Sequence, residues 1–218
     1  MEINKRITQI RSEIPSSVSL IVVSKQQSVE SIKEAYNSGI RDFAENRLQE
    51  ALEKQEELKE YDDISWHFIG HLQTNKAKKV LENFNWIHSV DSLRLAQHLN
   101  QIIEKISASP YICLQVKAMP DPDKYGWLPE TLWEDLHELE KCKNLMIRGL
   151  MTILPLNLST NESLHAFQKV QTLAQDINEK SSLFLKELSM GMSNDYLLAI
   201  QKNTTMIRLG RTIFEPKR

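Results

Sequence analysis

The sequence predicts an α/β fold, a single closed (β/α)8 barrel. Eight short apolar runs alternate with eight longer amphipathic patterns along the chain. Alternating strands and helices form right-handed βαβ units, which place the strands parallel in one sheet. A doubly wound open sheet is the alternative, but such a sheet rarely uses eight units in 218 residues. We therefore expect one domain over residues 1–218.

The predicted strands are apolar runs bounded by polar or glycine residues. The first run, SLIVVS, is mostly apolar and ends abruptly at Ser24-Lys25. The other runs have the same character. The predicted strands cover residues 19–24, 41–44, 66–69, 86–90, 111–117, 146–152, 186–190 and 205–209.

The predicted helices rest on apolar residues at helical spacing and on residues typical of helix ends. Gly39 suits the position after a helix, Pro129 suits a first turn, and Ser159 with Glu162 has capping-box spacing. The chain ends at Arg218 soon after the eighth strand. We therefore expect no helix there and expect the N-terminal helix to cover the seam. The predicted helices cover residues 3–12, 28–38, 46–60, 72–83, 92–107, 129–141, 160–179 and 194–202.

The composition argues against several classes of protein. A formal net charge of −2 is unlike a broad nucleic-acid surface, which requires a clear basic excess. No run approaches the ~20 apolar residues of a membrane span, and the N-terminus predicts an amphipathic helix rather than a signal peptide. The two cysteines, Cys113 and Cys142, lack CxxC spacing, and Cys113 lies in an apolar run where a buried side chain is expected. We expect a cytoplasmic protein.

Lys25 is the first candidate functional residue, because it stands where the first strand ends. Active groups of a barrel lie at the carboxyl ends of its strands, over a shared pocket. Partial desolvation and nearby cations can lower the pKa of a lysine there, and the neutral amine then attacks a carbonyl. Two chemistries remain open: an imine with an aldolase-type substrate, or an aldimine with pyridoxal 5′-phosphate (PLP).

A phosphate site is predicted after the seventh and eighth strands, the usual phosphate site of this fold. Gly191 suits a turn there, and Ser193 suits the N-cap of the predicted helix 194–202, where N–H groups and the helix dipole attract anions. The sequence IRLGRT closes the same region from the eighth strand. Four of the six glycines lie at or after predicted strand ends, where glycine permits positive φ or close approach to a ligand: Gly70, Gly126, Gly191 and Gly210.

Three other patterns receive simpler interpretations. His67 and His71 have metal-like spacing, but the segment WHFIG predicts a strand that ends in glycine, so the helical i,i+4 geometry of a metal site is absent. We expect no zinc site there and expect His71 to line the pocket or bond a neighbouring loop. The basic run at residues 75–79 predicts a solvated helix face. Ser24 and Lys25 cannot form a Ser–Lys dyad, because adjacent strand residues point to opposite faces.

A series of motifs resembles one known family along nearly the whole chain. The series is similar to that of the YggS/PROSC family of pyridoxal-phosphate homeostasis proteins, and WHFIGHLQTNK with SMGMS is its most specific part. The motifs, in order, are VVSK at 22–25, FAEN at 43–46, WHFIGHLQTNK at 66–76, HSVDS at 88–92, KYG at 124–126, IRGLM at 147–151, SMGMSND at 189–195 and IRLGRTIF at 207–214.

The resemblance implies a barrel of the alanine racemase N-terminal-domain type that carries PLP as an aldimine on Lys25. It implies a role in intracellular PLP homeostasis without catalytic turnover, with PLP-dependent apo-enzymes as transient partners and a monomeric state. The alternative is a PLP-dependent amino-acid racemase or lyase. The cofactor-binding positions implied beside Lys25 are Asn46, Met151, Ser193, Arg208, Gly210 and Arg211.

Two positions depart from the family's pattern. Family members commonly read FGEN and IFG, whereas this chain has Ala44 and Glu215. We expect Ala44 to tighten the turn near the cofactor ring and Glu215 to disturb the C-terminal edge. Neither position touches the lysine or the phosphate motif.

Overall fold

The eight predicted strands pair in chain order and close into a barrel in the computed structural model, which describes residues 2–106 and 108–215. Each strand is parallel to the next, and the last pairs with the first from Ser19–Met206 to Val22–Leu209. The expected barrel is confirmed. The strands are β1 (Ser19–Val23), β2 (Asp42–Glu45), β3 (Ser65–Phe68), β4 (Trp86–Val90), β5 (Tyr111–Gln115), β6 (Met146–Met151), β7 (Glu187–Ser189) and β8 (Met206–Leu209).

The helices surround the barrel, and three of the residues predicted at helix ends are confirmed. Gly39 follows the first crossover helix at φ +85°, Pro129 begins its helix, and Ser159 forms the capping box with Glu162. A 3₁₀ turn, Thr74–Lys76, precedes the fourth helix. The helices are α1 (Ile3–Glu13), α2 (Val29–Asn37), α3 (Leu48–Glu57), α4 (Ala77–Asn83), α5 (Leu93–Ile103), α6 (Pro129–Glu140), α7 (Thr160–Lys180), α8 (Tyr196–Ile200) and α9 (Arg211–Phe214).

Three helix predictions need correction. The short helix α9 follows β8, where none was expected, because the N–H groups of Ile213 and Phe214 bond the carbonyl of Gly210 and Ile213 is buried. Helix α8 has only five residues and begins at Tyr196, not at 194. Its N-cap is therefore Asp195 rather than Ser193. The predicted helix 92–107 ends at Ile103, and its last position, residue 107, lies outside the described residues.

The N-terminal helix covers the seam of the barrel, as expected. Helix α1 buries Ile3, Ile7 and Ile10 and packs against α2 and α9. Tyr196 of α8 donates a hydrogen bond to Glu13 at 2.8 Å, which ties α1 to the seventh crossover as well. Across residues 2–106 and 108–215, every helix is too short or too polar to span a membrane.

The strands separate two interiors. Their outward faces pack against the helices in the main apolar core. Inside the barrel, a small apolar cluster of Ile21, Val23, Ala44 and Met206 leaves room for polar groups. The buried polar side chains of the strands include His67, His88, Ser189 and Arg208.

Candidate functional site

A cavity of about 910 Å³ opens at the carboxyl ends of the strands. Its lining comes from the segments after β1, β2, β3, β6, β7 and β8, the location typical of barrel active sites. The cavity brings together six of the seven positions that the sequence singled out. These six are Lys25, Asn46, Ser193, Arg208, Gly210 and Arg211.

Lys25 lies in a turn two residues beyond β1. Its side chain is exposed, so the partial burial expected from the sequence is not present. The next residue, Gln26, has φ of +60°, a conformation that a residue with a side chain rarely adopts. The N–H of Gln26 donates to Glu50 Oε1 at 2.5 Å, and the N–H of Gln27 donates to the carbonyl of Ser24 at 3.0 Å. These bonds hold the Lys25 turn in place.

A buried charge network lies beside this turn. The ammonium group of Lys54 donates to the Ser24 carbonyl at 2.8 Å, to Glu45 Oε1 at 2.8 Å and to Glu50 Oε1 at 2.6 Å. Burial raises the pKa of Glu45, and the hydrogen bonds from Lys54 and Ser24 partly offset that rise. Glu45 Oε2 is buried without a hydrogen-bond partner among the described residues. Lys54 therefore connects the end of β1, the end of β2 and helix α3.

The Lys54 network was missed by the sequence analysis. The only local signal was the spacing of Glu50 and Lys54, four residues apart on one helix, which is usually an exposed ion pair. The side chain of Lys54 is only 8% exposed, because the loop after β1 covers it. The contact between Lys54 and the loop after β1 joins segments that are distant in the sequence.

The segments after β7 and β8 meet at the cavity, and β8 is the direct neighbour of β1. Gly191 has φ of +99°, and a Cβ there would lie 2.8 Å from Ala199 Cβ, so the turn requires glycine. Asp195 Oδ1 accepts the N–H of Met192 at 2.6 Å. Ser193 Oγ accepts the N–H of Thr212 at 3.4 Å, which links the two segments.

These segments carry a set of unpaired backbone donors. The four N–H groups make no hydrogen bond to any other described residue, and all four residues line the cavity. Ser193 and Gly210 are half-buried, whereas Asn194 and Arg211 are exposed. An anion with several oxygens would satisfy the four N–H groups. The four donors, called here the anion cradle, belong to Ser193, Asn194, Gly210 and Arg211.

Arg208 lies in β8, inside the barrel, and is 3% exposed. Its Nη1 donates to Ser189 Oγ at 2.6 Å and its Nη2 donates to the carbonyl of Thr152 at 2.9 Å. Burial lowers the pKa of Arg208 to about 10, with a partial offset from the charge of Asp195. The guanidinium is therefore still charged at neutral pH.

The remaining predicted positions lie as follows. Met151 is fully buried at the end of β6, outside the described lining of the cavity. Ala44 is fully buried within β2, so it cannot tighten a turn. Glu215 does line the cavity, and its carbonyl accepts a hydrogen bond from Arg6 at 2.9 Å.

The expected contact of His71 with a neighbouring loop and the expected burial of Cys113 are confirmed. His71 bonds Asp91 at 3.1 Å, at the end of the neighbouring strand, and stacks on Tyr125 with ring centroids 3.8 Å apart. The described residues contain no group of side chains that could hold a metal ion. Cys113 is fully buried, and burial raises the pKa of its thiol, so it is no nucleophile.

The sequence and the fold match proteins of known name. Residues 2–216 match the family model for the alanine racemase N-terminal domain. A pyridoxal phosphate homeostasis protein from Synechocystis sp. is 53% identical over 207 residues, which cover 95% of each chain. The chain belongs to the family of pyridoxal phosphate homeostasis proteins. The resemblance drawn from the motifs is confirmed.

Solved structures support the placement in the pyridoxal phosphate homeostasis family. PipY from Synechococcus elongatus, in a structure with PLP bound, is 45% identical with a TM-score of 0.94. That match covers 98% of this chain and 100% of PipY. An alanine racemase from Clostridium difficile is 15% identical with a TM-score of 0.81, over 99% of this chain and 60% of the racemase, which shows the shared fold alone.

Proposed function

We propose that this chain binds PLP through the amine of Lys25 and maintains the cellular supply of the cofactor without turning over amino acids. The observation that carries the proposal is one cavity that contains both an exposed lysine and the anion cradle. Homologues of this chain are named pyridoxal phosphate homeostasis proteins, and a structure of the homologue PipY contains PLP.

The residues present fit the chemistry of PLP. When bound, PLP supplies an aldehyde that condenses with a primary amine and a phosphate that needs several hydrogen-bond donors. Lys25 offers the amine at the mouth of the cavity. The anion cradle offers four N–H groups, and the Ser193 hydroxyl and Arg211 add further donors. We assign the phosphate to these loop donors. Helix α8 has only five residues and is too short to contribute a significant helix dipole.

The surroundings of Arg208 support storage over catalysis. The motif resemblance implies that this arginine faces the pyridine nitrogen of the cofactor. A charged guanidinium disfavours protonation of that nitrogen, and an unprotonated ring is a poorer electron sink. Arg208 therefore gives little help to the carbanion chemistry of a racemase or lyase.

The cavity also offers few groups that could move a proton at a substrate carbon. Its described lining contains no tyrosine, histidine or cysteine side chain. The carboxyl groups there belong to Asp195, which accepts the N–H of Met192, and to Glu215. We infer that no tyrosine or histidine of the described lining opposes Lys25, and this argues against a two-base racemase mechanism.

Delivery of the cofactor follows from the exposure of Lys25. A lysine at an open mouth can release its cofactor to an acceptor without unfolding the barrel. We propose PLP-dependent apo-enzymes as the transient acceptors, in the cytoplasm, with this chain acting as a monomer.

Titration with PLP, followed by exposure to amino acids, tests the proposal. We expect a visible absorption band that saturates at one equivalent and is lost in Lys25→Ala. In deuterated solvent, the loaded protein should leave the Cα hydrogens of alanine and serine unexchanged over minutes. Exchange or racemisation within seconds that depends on Lys25 would establish an enzyme instead.

A further inference from the structure

A row of polar side chains crosses the interior of the barrel and ends at Arg208. Arg208 Nη1 lies 2.6 Å from Ser189 Oγ, which lies 2.8 Å from His88 Nδ1. His88 Nε2 lies 2.9 Å from His67 Nδ1, and His67 Nε2 lies 3.0 Å from Asp42 Oδ1. All of these distances are hydrogen-bond distances. The four residues beyond Arg208 are called the relay below.

The relay runs from a buried end to an end near solvent. Ser189 and His88 are fully buried, and His67 is 1% exposed. The Asp42 side chain is 38% exposed at the start of β2, the opposite end of the barrel from the cavity. A buried arginine beside the cavity is thus connected by hydrogen bonds to a carboxylate near solvent.

The donors and acceptors of the relay match in only one direction. Burial lowers the pKa of His67 and His88, so each ring is neutral and carries one N–H. The direction is set by the Asp42 carboxylate, which can only accept, so each neutral ring donates toward Asp42 and accepts on its other nitrogen. His88 Nδ1 therefore accepts from the Ser189 hydroxyl, whose oxygen accepts from Arg208. His88 donates through Nε2 to His67 Nδ1, and His67 donates through Nε2 to the Asp42 carboxylate. Both histidines are therefore Nε2–H tautomers.

This arrangement limits how Arg208 can turn. A guanidinium carries five N–H donors in a rigid planar fork. Two are used by Ser189 and by the Thr152 carbonyl, and these bonds fix the directions of the others beside the cavity. We infer that the relay residues are positioning residues that hold Arg208 in one orientation toward the cavity.

The inference deepens the proposed function and rests on it for the role of Arg208 at the cofactor ring. A chain of hydrogen bonds between a cation and an anion polarises every bond in the same direction. The relay thus favours the charged form of Arg208 as well as its orientation. Its geometry belongs to the protein alone and can be measured without PLP.

Nitrogen NMR on the full chain without PLP tests the inference. Protein with ¹⁵N-labelled histidine and arginine should show the Nε2–H tautomer for His67 and His88 at neutral pH. Asp42→Ala should shift the side-chain signals of Arg208, although Asp42 does not touch it. We choose Asp42 because its half-exposed position makes folding least sensitive to the change. Ser65 Oγ, 3.3 Å from the same His67 nitrogen, is a weaker alternative acceptor.

Ser189→Ala breaks the relay next to Arg208. It should release the tautomer of His88, shift the Arg208 signals and weaken PLP binding about tenfold, the loss typical of a hydrogen bond to a charged group. Ser89→Ala is the matched control: Ser89 is 1% exposed, but its hydroxyl donates to the Gly70 carbonyl and forms no hydrogen bond to a relay residue. It should leave the tautomers and the Arg208 signals unchanged.

The outcomes separate the two proposals. An Nδ1–H tautomer at either histidine, or Arg208 signals unchanged in both relay variants, would overturn the inference. Equal PLP affinity in wild type and Ser189→Ala would also overturn it, provided that the wild type binds PLP. If the wild type bound no PLP, the proposed function would fail, and the NMR results alone would decide the inference.

Discussion

Single side chains of the cavity make separable contributions to binding. Ser193 has a half-buried hydroxyl beside the anion cradle, where a phosphate would be the natural partner. Lys25 lines the same cavity and would interact with the aldehyde of the cofactor rather than with its phosphate. The two ends can therefore be tested independently.

Ser193→Ala should weaken PLP binding by about 1.5–3 kcal/mol, since it removes a hydrogen bond to a charged group. The same variant should leave the binding of pyridoxal, which lacks the phosphate, almost unchanged. Titration of both ligands against both proteins gives the comparison. Equal losses for PLP and pyridoxal would place the phosphate elsewhere.

Helix α3 and the first two strands are joined by Lys54, and this junction controls the Lys25 turn. Lys54→Met would leave the buried Glu45 carboxylate without its cation, which typically costs about 3–5 kcal/mol of stability. Urea unfolding at pH 7 measures this. Lys59→Met, which removes an exposed lysine near the end of the same helix, should leave stability unchanged. A small effect of Lys54→Met would show that the network does not hold the junction.

The pH dependence of Lys54→Met should differ from that of the wild type. Burial raises the pKa of Glu45, and without Lys54 nothing but Ser24 offsets the rise. The native state of the variant then binds a proton more readily than the unfolded state, so its stability falls as pH rises. We expect the variant to gain stability relative to wild type between pH 7 and pH 5. A constant difference over this range would contradict the assignment to Glu45.

Local sequence patterns predict the features that depend on neighbouring residues in the chain, but not contacts between distant segments. The strands, and helix ends such as Pro129 and the Ser159–Glu162 box, were predictable because they depend on neighbours in the chain. The position of the cavity followed from the barrel topology. Lys54 and the relay were missed because their partners lie on distant segments. The N-cap assigned to Ser193 was wrong because α8 begins only at Tyr196, after a turn in which Asp195 accepts the N–H of Met192.

The complete barrel depends on its first helix, which closes the seam between the two ends of the sheet. Ile7→Ala in α1 should lower the free energy of unfolding by about 2–5 kcal/mol, because Ile7 is 1% exposed and its truncation leaves a cavity. The exposed Thr8→Ala provides the control. Equal stability of the two variants would mean that α1 contributes little to closure.

Reduction with borohydride, followed by peptide mapping, asks whether this barrel holds PLP on the lysine after its first strand. Reduction makes the bond between cofactor and amine permanent, so the modified residue can be identified by mass spectrometry. We expect a single modified peptide containing Lys25, and no modification in Lys25→Arg, which keeps the charge but cannot form the bond. Modification of another lysine in the wild type, or undiminished modification in Lys25→Arg, would contradict the account.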